Sequence, residues 1–451
     1  MSPPALSLLT IPLVMVGISL GASAADGDTG AEGTTSLTLH QAEQTALKNQ
    51  PTVREAHGLY EAAEGRVEEA RAGYLPQVTA TGSYERTTAN FAPRPSFSPT
   101  NTSTLGPLPP VSWNPKFNYY QLSVGASQLI YDFGQTSNKW SSAAASRDAA
   151  VDNTHTAALQ TLLTVRRAYF TARADRDLVA VAEETVRNQE KHVEQTQAFV
   201  RTGIQPDINL ATVQTALANA TVQLVTARNN VSVADAQLAQ AMGVSVGERY
   251  TLADQELPPI AGEDGAPGPL VEHAEKNRPE LANIFNQRRA QELTVDSLKG
   301  SYGPSVSALG NFSEAGIAID GVVPNWYVGL GISWNILQGG LTRGQVREAK
   351  GTLENLTGQE QALRLQVQVD VEQGRLGVQA AKATIGAADE ALLNARNQLT
   401  LAEKRYEHGL GSAVELDDAQ VAYTSAEAQA VQAKFNLAAA RAQLLTALGD
   451  Q

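Results

Sequence analysis

The chain has 451 residues, a formal net charge of −13 and no cysteine. That charge argues against nucleic acid as a partner, because phosphate binding needs a basic face. The lack of cysteine removes disulfides, thiolate chemistry, Cys-ligated metals and lipid attachment through an N-terminal Cys. Hydrophobic residues make up 42% of the chain but aromatics only 6%, a mixture suited to long helices packed through small side chains rather than to a thick globular core.

Ala5 to Leu20 is a long apolar run, and Ala22-Ser23-Ala24 after it has the small-x-small form of a signal-peptidase site. Residues 1–24 read as a secretory signal and 25–36 as a linker, with a retained membrane anchor as the competing reading because no Lys or Arg precedes Lys48. Later segments are too polar for a membrane helix, so a mature protein resident in a membrane has to span it with strands.

From there the chain repeats itself. Lys48-Asn49-Gln50-Pro51 recurs as Lys276-Asn277-Arg278-Pro279, and Tyr74-Leu75-Pro76 as Tyr302-Gly303-Pro304, at a shift of 228 residues. Further on the shift is 206, matching Gly134 to Gly340, Gly203 to Gly409 and Gly243 to Gly449. The first repeat covers 37–247 and the second 270–451, with a Pro- and Gly-rich linker at 248–269. Each half reads as helix, strand, strand, helix, helix. Strands are expected at about 76–90 and 117–132, then at about 304–316 and 326–337. The first pair encloses a Pro-rich insertion, Ala92 to Pro115, and the second a short turn around Pro324. Long helices are expected at about 135–202, 207–242, 341–408 and 412–448. Leu210, Val213, Leu217, Ala220, Leu224 and Ala227 alternate steps of three and four, as do Leu416, Ala419, Tyr423, Ala426 and Ala430, which implies coiled coils turning at Gly203 and Gly409.

In the strands, Val78, Ala80, Gly82 and Tyr84 alternate with polar residues, and so do Leu122, Val124, Ala126 and Ile130, then Val306, Ala308, Gly310 and Phe312, then Val328, Leu330, Ile332, Trp334 and Ile336. This period suits a barrel wall with lipid on one side and water on the other. Tyr74, Tyr120, Tyr131, Phe133, Tyr302, Trp326 and Tyr327 lie near strand ends, as an interfacial girdle or as ordinary strand packing. Four strands cannot close a membrane barrel, so several chains must share one.

Several short motifs now fall in one order: Tyr74-Leu75-Pro76 before the first strand, Tyr131-Asp132-Phe133-Gly134 after the second, Arg405-Tyr406-x-x-Gly409 at a helix turn, and Leu444-Leu445-x-Ala447-Leu448-Gly449 at the end. With the duplicated plan, they make the chain similar to the TolC-like outer membrane efflux protein family. The resemblance implies a mainly α protein with a transmembrane β part. Its trimeric twelve-stranded β-barrel, four strands per chain, would stand on an α-helical coiled-coil periplasmic tunnel.

It further implies the outer membrane of a Gram-negative bacterium, with helices extending into the periplasm. The function implied is the channel of a tripartite efflux or type I secretion system. Such a homotrimer sits in outer-membrane lipid and is a passive duct without cofactor or metal. A periplasmic adaptor (membrane fusion) protein couples it to an inner-membrane transporter of the RND or ABC type. The turns Gly203, Ile204, Gln205 and Gly409, Leu410, Gly411 then correspond to the adaptor-docking tips, Glu415 and Asp418 to an acidic ring at the periplasmic entrance, and Tyr406 to a gate network. Gly411 stands where that pattern has an arginine, and Asn209 where it has an aspartate. Apart from the resemblance, Glu415 and Asp418 are also what the dipole favours early in a helix.

Enzyme readings fare badly. Gly243-Val244-Ser245-Val246-Gly247 fits G-x-S-x-G but follows a helix instead of a strand, which makes it a helix-ending turn. The six histidines are scattered without ligand spacing. A structural coiled-coil envelope protein would explain export and helices but leaves the amphipathic strand pairs unused. A soluble adaptor would not need two copies of this plan.

Overall fold

The computed structural model describes residues 36–88, 116–247 and 250–450. The proposed signal and the Pro-rich insertion lie outside the described residues. The first half forms β1 (Ser36–Leu37), α1 (Leu39–Asn49), α2 (Pro51–Ala72), β2 (Gln77–Thr88), β3 (Lys116–Tyr131), α3 (Gln135–Arg201) and α4 (Asp207–Met242). The second forms β4 (Thr251–Leu252), α5 (Pro267–Asn277), α6 (Pro279–Gly300), β5 (Ser305–Gly316), β6 (Val323–Ser333), α7 (Leu341–Glu407) and α8 (Ala413–Leu448). Matching helices have equal lengths: 11 residues in α1 and α5, 22 in α2 and α6, 67 in α3 and α7, and 36 in α4 and α8.

Where one helix was expected ahead of each strand pair, there are two. Pro51 and Pro279 begin α2 and α6, and their rings push Gln50 and Arg278 into extended backbone at ψ 126° and 119°. The repeated Lys-Asn-x-Pro motif is therefore a helix break, and a helix end rests on each copy. Gly243 and Gly449 terminate α4 and α8 with φ of 68° and 81°. A Cβ on either would lie 2.9 Å from the carbonyl carbon of Asn49 or Asn277, so only glycine meets both demands. This is also what Gly243 of the G-x-S-x-G string does.

The long helices pair antiparallel, α3 with α4 and α7 with α8. At 1.5 Å per residue α3 and α7 are each about 100 Å long. Every expected seam residue of α4 and α8, from Leu210 to Ala227 and from Leu416 to Ala430, is buried or half-buried, and the many alanines let the backbones approach closely.

The strands form one antiparallel sheet in the order β2-β3-β5-β6. Its register sets Ala80, Val124, Phe312 and Trp326 in one cross-strand row, and Val78, Ala126, Gly310 and Val328 in the next. Within the paired register all four apolar rows thus share one face, except that a bulge between Leu129 and Tyr131 takes Ile130 out of the third row and sets Tyr131 opposite Val306. The opposite face carries Thr79, Thr81, Ser83, Ser123, Gln121, Asn311, Ser313 and Asn325. Tyr327, expected in the girdle, pairs with Asn311 and lies on this polar face. Among the described residues no helix is long and apolar enough to cross a membrane.

The fourth strand is displaced from its expected 326–337. It starts at Val323, and Pro324 sits within it opposite Glu314 instead of in the turn. Proline is tolerated because β6 is an edge strand and lacks a neighbour on one side. The turn falls earlier, with a 3-10 segment at Ile319–Gly321. Trp334 and Ile336 lie beyond the strand, and the Trp334 indole donates to the Tyr302 carbonyl at 3.0 Å.

Both expected linkers also carry structure. Ser36–Leu37 pairs in parallel with Thr251–Leu252, and α5 begins at Pro267, inside the 248–269 segment. Buried Tyr169 of α3 donates to the carbonyls of Leu37 and Ala253, which ties both linkers to the long helix. A two-residue strand is too short to leave a period-two pattern.

The second linker is clamped by charge. Glu263, 2% exposed, accepts from the Arg441 guanidinium of α8 at 2.9 Å and pairs with Lys382 of α7 at 2.7 Å. Burial pushes its carboxyl up, but the bonds from Arg441, Lys382 and the Ile260 N–H outweigh burial and hold the pKa at about 2, below the ordinary 4.5. The unfolded chain therefore takes up this proton first. The stabilisation is whole above about pH 4.5 and is lost as pH falls through about 2, with roughly 3 kcal/mol at stake. In thermal melts across that window, Glu263→Gln should be less stable than the parent at neutral pH and lack this part of its acid dependence.

Candidate functional site

The ends of the two long hairpins furthest from the sheet collect the residues singled out by sequence. Both turns have the same construction. Gly203 donates its N–H to the Val200 carbonyl at 3.0 Å and Ile204 to Phe199 at 2.9 Å. Gly409 likewise donates to Tyr406 at 3.0 Å and Leu410 to Arg405 at 2.8 Å. These are Schellman closures, which need left-handed backbone at the glycine, here φ 73° and 72°. The apolar side chain that follows each glycine points out: Ile204 is 64% exposed and Leu410 74%. Each tip thus presents an apolar side chain to water.

Tyr406 is wholly buried in a cluster with Val213, Leu399, Ala402, Leu416 and Ala419, flanked by Phe199 and Leu210. Its hydroxyl lies 2.5 Å from Thr196 Oγ1 of α3 and donates to Gln205 Oε1 at 3.1 Å. Gln205 in turn accepts from Asn209 Nδ2 at 3.2 Å. One phenol thereby joins the α7–α8 hairpin to the turn of the other hairpin, and Asn209, at a position expected to hold an aspartate, takes part as an amide.

Glu415 pairs with Arg405 at 3.0 Å, and Arg405 also donates to the Leu410 carbonyl at 3.3 Å. Gly411, at a position expected to hold an arginine, is tightly enclosed: a Cβ would fall 3.1 Å from the Tyr406 nitrogen and 3.2 Å from Arg405 Cβ, so a side chain there would make its neighbours give way by a few tenths of an ångström. The positive charge at this turn comes from Arg405 instead. Ser412 caps α8 by accepting from the Glu415 N–H at 3.1 Å. Asp418 is exposed. The adjacent Asp417 was missed by sequence reasoning; it accepts from Gln189 of α3 at 3.1 Å. Also missed was the polar character of the α3–α8 seam, where Thr185 meets Thr424 at 3.0 Å. Buried Val181, Thr185, Gln189, His192 and Thr196 keep core spacing along α3, and that spacing is the signal that could have found them.

Tyr406→Phe removes the one hydroxyl that touches both Thr196 and Gln205, which costs about 1–2 kcal/mol at this junction. Amide hydrogen exchange of residues around Thr196 and Gln205 is expected to rise about tenfold, with little change near the Glu263 clamp.

Comparison with known proteins agrees with this architecture. The family model for outer membrane efflux proteins matches residues 42–244 and 270–450. Outer membrane protein TolC of Escherichia coli K12 is 24% identical over 438 residues, spanning 91% of this chain and 82% of its own. Among solved structures, the outer-membrane channel OprN superposes with a TM-score of 0.76 at 19% identity, covering 92% of this chain and 90% of that one. The Campylobacter jejuni CmeC channel gives 0.78 at 16% identity, covering 98% and 94%. The open state of the Neisseria gonorrhoeae MtrE channel gives 0.75 at 19%, covering 91% and 89%. The mainly helical chain with four strands for a barrel belongs to the outer membrane efflux protein family and is an efflux channel of the outer membrane.

Proposed function

We propose that this chain is one third of a passive exit duct, coupled through a periplasmic adaptor to an inner-membrane transporter of the RND or ABC type. The observation that carries the reading is the sheet, with one apolar face, one polar face and both edges, β2 and β6, unpaired among the described residues. Unpaired backbone groups in lipid cost several kcal/mol each, so the edges need partners. Three copies supply twelve strands, an even number within the range of outer-membrane barrels. The apolar stretch from Trp326 to Ile332 rises about 20 Å, close to the lipid-facing band of such barrels.

The tips serve as the entrance and docking surface. Gly203, Ile204, Gln205, Gly409, Leu410 and Gly411 offer the adaptor two exposed apolar side chains on stiff turns. Glu415 and Asp418, on the first turns of α8, come together in threes around the entrance, attract cations and repel one another. Arg405 pairs with Glu415, and Tyr406 ties the hairpins together through Gln205, which Asn209 supports, so these contacts hold the entrance closed without the charges that Gly411 and Asn209 lack. That MtrE has been solved in an open state supports an entrance that opens.

A photoreactive residue at Gln205 or Ser412, irradiated in cells, is expected to capture a periplasmic adaptor and with it the transporter. Capture of only peptidoglycan-associated or surface proteins would favour a structural envelope role instead.

A further inference from the structure

Seams within each hairpin are built mainly from alanine and leucine, whereas towards the tips the seam between the hairpins turns polar and includes an unsatisfied position. His192 of α3 is 6% exposed, and neither ring nitrogen has a hydrogen-bond partner. Gln420 of α8, 1% exposed, leaves its Oε1 unpartnered as well. Gln195 and Gln420 lie beside the imidazole, close enough to favour its charged form. One turn away on either side, Gln189 holds Asp417 and Thr196 holds Tyr406. The unsatisfied pair thus sits between two of the contacts that join the hairpins.

We propose that His192 is a proton-binding site that keeps the α3–α8 seam closed when neutral and parts the hairpins when charged. A neutral imidazole tolerates a dry site, but an imidazolium needs water or a free carboxylate. Burial pushes the His192 pKa below the ordinary histidine value, while Gln195, Gln420 and Asp417 pull the other way and Lys191 opposes protonation. From α8 the facing charge is Asp417, already engaged by Gln189. On α4 no titratable residue stands between Asp207 and Arg228. From α7 come Tyr406, held by Thr196, and Glu403, whose charge acts on Lys191 rather than on the imidazole.

Parting the seam hydrates the ring and restores its ordinary affinity, so the parted state binds the proton more tightly. By linkage, acid drives the equilibrium toward it, about tenfold for each unit of pKa difference between the two states. Only the consequence for conduction rests on reading the tips as the duct's entrance; the motion itself does not.

The chain has no cysteine, so spin labels can be placed cleanly at Glu190→Cys and Val421→Cys in the full chain, diluted with unlabelled chain. Acidifying from about pH 7.5 to about pH 5.5, across the ordinary histidine range, should lengthen the label distance in the parent. His192→Gln, which stays neutral, should keep the short distance at both pH values, and Asp417→Asn should still respond. An unchanged parent, the same lengthening in His192→Gln, or loss of the response in Asp417→Asn alone would overturn the proposal. Bilayer conductance of the same chains separates the two readings. A seam that parts without raising conductance upholds the proton site and contradicts the entrance.

Discussion

An N–H or C=O left unpaired in hydrocarbon costs several kcal/mol, and this chain carries two rows of them, along β2 and β6. Everything else is arranged around that open wall segment. The sheet turns all its apolar rows to one side, so burying that side in lipid leaves a hydroxyl- and amide-bearing surface for water. The helices leave the wall at equivalent places, β3 passing into α3 at Gly134 and β6 into α7 at Gly340, both with left-handed backbone. Phe133 adopts φ 55°, where its counterpart is Gly339 at 59°. Gly303 gives it room, since a Cβ there would come within 2.5 Å of the Phe133 ring.

Length and small side chains do for the helices what a thick core does for a globular protein. Each alanine contributes little, but a 36-residue seam repeats the contact many times. The joints across hairpins are of another kind. Away from the tips, Val165, Phe170 and Ala172 of α3 share one apolar cluster with Ala438 and Ala442 of α8. Towards the tips the joint consists of a few hydroxyl, amide and imidazole groups, some of them unpaired. Such groups exchange readily for water, so the hairpins are held firmly at one end and separably at the other.

The parts legible in sequence were those where local chemistry leaves no choice. Glycines recurring at 203 and 409, or 243 and 449, mark positive φ, and unbroken Pro-free heptads mark the long helices. Pro324 misled because proline usually ends a strand, yet an edge strand accepts it. The β1–β4 pair and the Glu263–Arg441 contact join residues far apart in the chain and leave no local trace. At the tips the family likeness pointed to Tyr406, Glu415 and Asp418, and Tyr406 and Glu415 have partners in the fold. Asp417, His192 and Gln420 look like surface residues in sequence, and only packing reveals His192 and Gln420 as buried and Asp417 as half-buried in the seam.

The proposed closure of one barrel by three copies is tested most directly by a cysteine scan. Single cysteines placed along β2 and along β6, two per chain in an otherwise cysteine-free background, are oxidised in the native membrane. A shared barrel gives, at the matching register, a ladder of dimer and covalent trimer and nothing larger. Failure to cross-link at any register, or a ladder running past the trimer, would contradict it.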